Sequence, residues 1–289
     1  MSVAPPGYVP PEHPVAPGER PELPDGMVPR EPPPRWKPWT AWAALLLGFG
    51  GAIAGGIVLG VVFAATGSGS LDHPGAAFNI VATVVQDGSL VLAAIVFARK
   101  SGGVHPRDFG LRLTRVASGI GLAVVCLIAF FVFTVVWTTL VGSPEDSSSL
   151  LDDLGVKEST TALIFGAALV CVVAPIAEEF FFRGYFFSAL RGWRGLWPAA
   201  ILTGLVFGGI HLGSAPVSAL LPLAFFGFGL CVLYDRTGSL YPGIAAHTVN
   251  NSLAFGIAEH WDWQILVTAV ASGAVITAIF AGVHRLASP

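Results

Sequence analysis

Charge is scarce in this sequence. Only 11% of its 289 residues are Asp, Glu, Lys or Arg, against roughly 25% in chains whose surfaces face water. That shortage excludes an ordinary soluble domain. Cysteine is nearly absent, and Cys126, Cys171 and Cys231 all lie in apolar runs. Without disulfide or metal-ligand spacing, they read as small buried hydrophobes. Basic excess is missing too: a formal net charge of -3 offers no electrostatic footing for nucleic acid. No internal repeat stands out, which counts against a transporter built from duplicated halves. The zinc-protease pattern H-E-x-x-H is lacking. No serine or cysteine has an evident base beside it, Ser188 and Ser252 included.

What the chain has is apolar length. It is 54% hydrophobic, with mean hydropathy +0.71. Eight segments are apolar, at about 39–65, 76–98, 116–141, 161–182, 198–213, 216–234, 240–257 and 263–283. About 20 such residues cross the roughly 30 Å of a bilayer's hydrocarbon. In lipid every backbone group must be satisfied internally, so the spans are helices. The expected fold is an all-α polytopic membrane protein of about eight transmembrane helices, over residues 39–285. Only Gly213, Ser214 and Ala215 separate the fifth and sixth segments ahead of Pro216, and the seventh is short. A re-entrant or tilted course stays open for these three. The many glycines allow helices to approach closely in lipid, and the Ala- and Gly-rich composition has a bacterial cast.

Lys and Arg are retained on the cytoplasmic side. Arg35 and Lys37 precede the first span, Arg99, Lys100, Arg107, Arg112 and Arg115 fill the second connection, and Arg183, Arg191 and Arg194 follow the fourth. Arg236 and Arg285 continue the alternation. The opposite connections are acidic or uncharged: residues 142–160 hold Glu145, Asp146, Asp152, Asp153 and Glu158 against Lys157. Both termini are therefore expected in the cytoplasm of a multi-pass cell-membrane protein. Residues 1–38 hold 13 of the 22 prolines and too little apolar surface to offset ordering entropy, so they read as a disordered cytoplasmic tail.

Ionisable groups in hydrocarbon are expensive and usually functional. Three clusters qualify. Glu178 and Glu179 end the fourth segment, with Arg183 on the face of Glu179 four residues on. An ion pair there leaves Glu178 to point elsewhere. His211 follows Phe207-Gly208-Gly209-Ile210, where glycines let a backbone or substrate come close. His247 and Asn251, four apart, share a face of the seventh segment. Taken singly, each has a bland reading as an interfacial helix end, a helix-tying histidine or a polar packing seam. Asp87 interrupts the second span and receives no role.

Together a carboxylate, two imidazoles and an amide suit hydrolysis. The carboxylate takes a proton from water, an imidazole holds that water or passes the proton to the leaving amine, and two donors face the oxyanion. Zinc on Glu178, His211 and His247 is the rival chemistry; a metal-free, cofactor-free reading is preferred. One feature resists the linear picture. Vertical spans put His211 about 20 Å and His247 about 10 Å from the cytoplasmic side, so the fifth segment must tilt or start deeper.

The residues Glu178-Glu179-x-x-x-Arg183, Phe207-x-x-x-His211 and His247-x-x-x-Asn251, in order on successive spans, resemble the three motifs of the CAAX-protease and bacteriocin-processing (CPBP, or Abi) family, to which the prenyl-protein CAAX endopeptidase belongs. The resemblance covers about 160–260, the expected protease core. It implies an intramembrane endopeptidase in which Glu178 activates water with His211, while His247 and Asn251 hold the oxyanion. Glu179 and Arg183 would support the site. Many bacterial relatives are described as metalloproteases, although the family's structural picture favours a metal-free mechanism. The substrate would be a membrane protein or membrane-delivered peptide within the lipid bilayer. Two other functions remain: a non-catalytic immunity or scaffolding protein of the same fold, and an ion- or proton-coupled transporter.

Overall fold

Every long element is a helix among the residues that the computed structural model describes, 36–66, 75–101, 104–142 and 149–287. Eight of these helices are numbered here: α1 (Pro38–Ala65), α2 (Ala76–Arg99), α3 (Val116–Val141), α4 (Thr160–Arg194), α5 (Leu196–Gly209), α6 (Val217–Thr237), α7 (Tyr241–Ala258) and α8 (Gln264–Ala287). Six are long and apolar enough to cross a membrane: α1, α2, α3, α4, α6 and α8. Their apolar side chains stay uncovered by protein, as at Leu46 (73% exposed), Val135 (64%) and Leu266 (67%). So large an exposed apolar surface would be untenable in water and faces lipid. The protein is an all-α, multi-pass membrane protein.

Helix α5 departs from the expected span. It has 14 residues, about 21 Å at 1.5 Å per residue, and stops at Gly209. His211 therefore sits in the turn beyond the helix rather than inside it. Gly213, at φ 96°, completes that turn into α6. The fourth segment runs longer than expected, because α4 continues unbroken to Arg194 through two π-helical stretches, Leu169–Val173 and Phe180–Phe187. Such stretches insert an extra residue per turn and frequently mark functional sites.

The inner half of α4 builds the core. Phe181, Phe182, Tyr185, Phe186 and Phe187 are fully buried, together with Phe207 of α5 and Phe226 of α6. Tyr185 donates from its hydroxyl to Thr40 Oγ1 at 2.8 Å, tying α4 to α1. Trp36 is buried against Phe109 and Tyr185, with ring centroids 5.1 and 4.8 Å apart. The folded part thus begins at least at Trp36; the rest of the expected tail lies outside the described residues. Cys171 and Cys231 are buried, Cys126 is partly so, and all three are free thiols.

Small residues bring α5 and α6 into backbone contact. A Cβ on Gly204 would lie 2.6 Å from the Ala224 carbonyl oxygen and 2.8 Å from Phe228 N. Gly208, one turn later, is held as tightly against Leu220 and Ala224. This G-x-x-x-G spacing is the usual device for close helix pairing in lipid, and it places Phe207 at the centre of the bundle.

Candidate active site

Glu179 is the most enclosed acid among the described residues, with 0% of its surface exposed. Its Oε1 accepts from Arg183 Nη1 at 2.7 Å and from His247 Nδ1 at 3.1 Å. Arg183, equally buried, also donates from Nη2 to the Gly227 carbonyl at 3.1 Å, and its guanidinium lies 4.5 Å from the Phe207 ring centroid. A charge taken this far from water persists only with such partners. The spacing of four residues predicts the Glu179–Arg183 pair, and the structure contains it.

Glu178 is adjacent in sequence, so its side chain leaves α4 in another direction, but it does not go far. Its Oε2 lies 3.8 Å from His247 Nε2. The imidazole stands in the groove between the two carboxylates, one ring nitrogen toward each. Because a carboxylate can only accept, the Glu179 contact puts the proton on Nδ1 and turns Nε2 toward Glu178. The Glu178 distance is longer than a hydrogen bond. Glu178 is 15% exposed at its side chain, against 1% for Glu179, and so is the carboxylate of the pair with room beside it.

His211 approaches through Phe207. Its Nδ1 donates to the Phe207 carbonyl at 2.7 Å, which leaves Nε2 with a free lone pair in the neutral ring. The Phe207 ring lies 5.0 Å from the His211 ring and 5.8 Å from that of His247. Among the described residues, His211 makes no hydrogen bond to Glu178 or His247. The resemblance alone singled out Phe207; the structure places it in contact with both histidines and Arg183.

Asn251 is engaged elsewhere. Its Nδ2 donates to the Val170 carbonyl of α4 at 2.9 Å, while its Oδ1 accepts from Asn250 Nδ2 at 3.2 Å. Main-chain groups therefore complete the network: the carbonyls of Gly227 and Val170 are invisible to a reading of side-chain types. Gly243 is a further participant. A Cβ there would lie 2.8 Å from Glu179 Oε2, and its sequence signal is a glycine one turn before His247.

Asp87 is buried in α2 with Oδ2 unpartnered, and it interacts electrostatically with Glu178. It lines an apolar cavity of about 360 Å³ with Ile176, Ala177 and Phe180 of α4 and Ile279 and Phe280 of α8. As for a metal, no group of three His, Cys, Asp or Glu side chains among the described residues has suitable geometry. Glu178, His211 and His247 as they stand do not form the three-donor set that zinc needs.

Fold and cluster define a polytopic membrane protein with an ionisable site buried among its helices. A family model, type II CAAX prenyl endopeptidase Rce1-like, matches residues 160–253, which contain every member of the cluster from Glu178 to Asn251. A protein of Bacillus subtilis (strain 168) described as "Putative membrane peptidase YdiL" is 28% identical over 141 residues, 46% of this chain and 55% of that protein. The chain thus spans about half the length of the curated relative it matches. No solved structure matches. Residues 160–253 are thus similar to the CAAX-protease (CPBP) family of membrane proteins.

Proposed function

We propose that this protein is an intramembrane endopeptidase that hydrolyses a peptide bond in a membrane-associated protein or peptide. The single observation that carries the reading is the pair of carboxylates, Glu178 and Glu179, on the two nitrogens of one buried imidazole, His247. The two acids have different work. Glu179, held by Arg183, fixes the orientation of the ring, and Glu178 is left to do the chemistry.

Glu178 takes a proton from a water whose oxygen attacks the scissile carbonyl, and the free Nε2 of His211 helps to hold that water. In this mechanism His247 carries a proton on each ring nitrogen: Nδ1–H stays on Glu179, and Nε2–H donates to the developing oxyanion, the role the family pattern gives to this histidine. When the carbon–nitrogen bond breaks, the proton held by Glu178 passes to the leaving amine. A hydrogen bond to the oxyanion is strongest in effect here because the site is largely shut off from bulk water.

The orientation with both termini in the cytoplasm draws support from one end of the bundle. There Arg112 Nε donates to the Gly238 carbonyl at 2.6 Å, Leu240 N donates to Gly110 O at 2.9 Å, and Arg191 pairs with Asp235. Three basic connections thus share one face, the one that positive-inside retention places in the cytoplasm.

The test is cleavage of a panel of membrane-anchored peptides by the purified protein in lipid nanodiscs. Glu178→Gln should lower the rate by about 10³-fold or more, given what a positioned base together with its oriented water supplies, with unchanged thermal unfolding. Cleavage by that variant at the wild-type rate would overturn the reading. Running both with and without a chelator separates a glutamate-only mechanism, which keeps its rate, from a zinc-dependent one.

A further inference from the structure

The first π-helical stretch of α4 leaves one carbonyl without a backbone partner, and the reason is Pro175. In a π-helix the carbonyl of residue i accepts from the N–H of residue i+5. Ala174 N donates to Leu169 O in this register. The next bond would run from residue 175 to Val170 O, but proline has no N–H. A main-chain carbonyl inside a bilayer protein cannot be left to water. Asn251 Nδ2 fills the gap at 2.9 Å, and Asn250 fixes the amide by donating to its Oδ1, so that the NH₂ end meets the acceptor.

Three and four residues beyond Pro175 come Glu178 and Glu179. The register of that turn sets the direction in which each carboxylate leaves α4, and a one-residue change would rotate both by about 100°. His247 lies one turn before Asn251 on α7, so a single helix face both receives the carboxylates and locks the turn that aims them.

We infer that Asn251 is a positioning residue: by supplying the hydrogen-bond donor that Pro175 lacks, it holds the π register that points Glu178 and Glu179 at His247. This rests on the peptidase reading for its effect on rate, but the structural role stands apart from it.

The proposal predicts a rescue. Asn251→Ala should lower the cleavage rate by about tenfold or more through the unsatisfied buried carbonyl and the loosened turn. Pro175→Ala restores an N–H at the position where Val170 O needs one, so the double variant Pro175→Ala/Asn251→Ala should recover most of the lost rate. A side chain needed at the oxyanion itself cannot be replaced from position 175. A double variant as slow as Asn251→Ala, both folded, therefore overturns the proposal.

A second measurement needs neither Pro175→Ala nor any substrate. Amide hydrogen exchange over 169–178 in Asn251→Ala, compared with wild type in the same nanodiscs, should be faster in that segment and unchanged in α1. Unchanged exchange at 169–178 would sink the proposal. Should wild type cleave nothing, the peptidase reading fails while the exchange result still judges the positioning role.

Discussion

Two neighbouring glutamates on one helix point about 100° apart, and here they meet different surroundings. Glu179 is enclosed and fully used at Oε1, whereas Glu178 touches the same imidazole only loosely. The difference originates in Arg183, which stands four residues after one acid and five after the other. Glu179 depends equally on what lies behind it. Its Oε2 fits against α7 only because residue 243 has no side chain. Gly243→Ala would bring a methyl carbon to 2.8 Å of that oxygen, closer than real contacts allow. With Arg183 and His247 holding the same carboxylate, it cannot swing away without loosening one of them. The expected result is a loss of about 1–3 kcal/mol in stability, typical of overpacking, together with a larger fall in cleavage rate than the stability change explains. Thermal unfolding and peptide cleavage on one preparation check both. A Gly243→Ala protein that cleaves normally would mean that Glu179 does not orient His247.

At the scale of elements, what was legible in the sequence is what depends on a single helix. The Glu179–Arg183 pair follows from i,i+4 spacing, and the shared face of His247 and Asn251 from the same rule. The meeting of Glu178 with His247 does not, because it depends on where α7 packs along α4. The Asn251 contact was hidden for another reason: it requires a π turn, and the sequence carries only Pro175 as a hint. His211 was expected inside a span, yet Gly208-Gly209 ends α5 before it. Those two glycines look alike in sequence and differ in space. A Cβ on Gly208 would strike the backbone of α6, whereas one on Gly209 meets nothing within 4 Å. Gly208→Ala should therefore push α5 from α6, displace Phe207 and destabilise the protein by about 1–3 kcal/mol. Gly209→Ala, an adjacent control, should change stability by less than about 0.5 kcal/mol. Melting temperatures of the two purified variants decide it, and equal shifts would deny that the Gly204–Gly208 face sets the helix pairing.

For the whole molecule, the short helices bear on how the chain crosses as much as the long ones do. α5 is too short to cross, and the turn that follows it carries His211 to a ring that touches His247 through Phe207. The turn at 210–216 leaves Leu212, 67% exposed, at the edge of the protein, with His211 half-buried beside it. The helix reverses direction at this turn, so α5 and α6 act together as one excursion that returns the chain to the basic face. Arg191 of α4 and Asp235 of α6 pair at that face, as they can only if α6 has come back. The prediction is an even number of crossings before α4's basic end and after it, whether or not α5 reaches the far surface. Reporters active only in the cytoplasm, fused before Met1 and after Pro289, should both be active, and one inserted at 143–148 should be silent. An active reporter at 143–148 would invert the acidic and basic faces. A silent one at either terminus would require an odd number of crossings, and α7, the least apolar of the long helices that carry the site, would then be the segment that fails to cross.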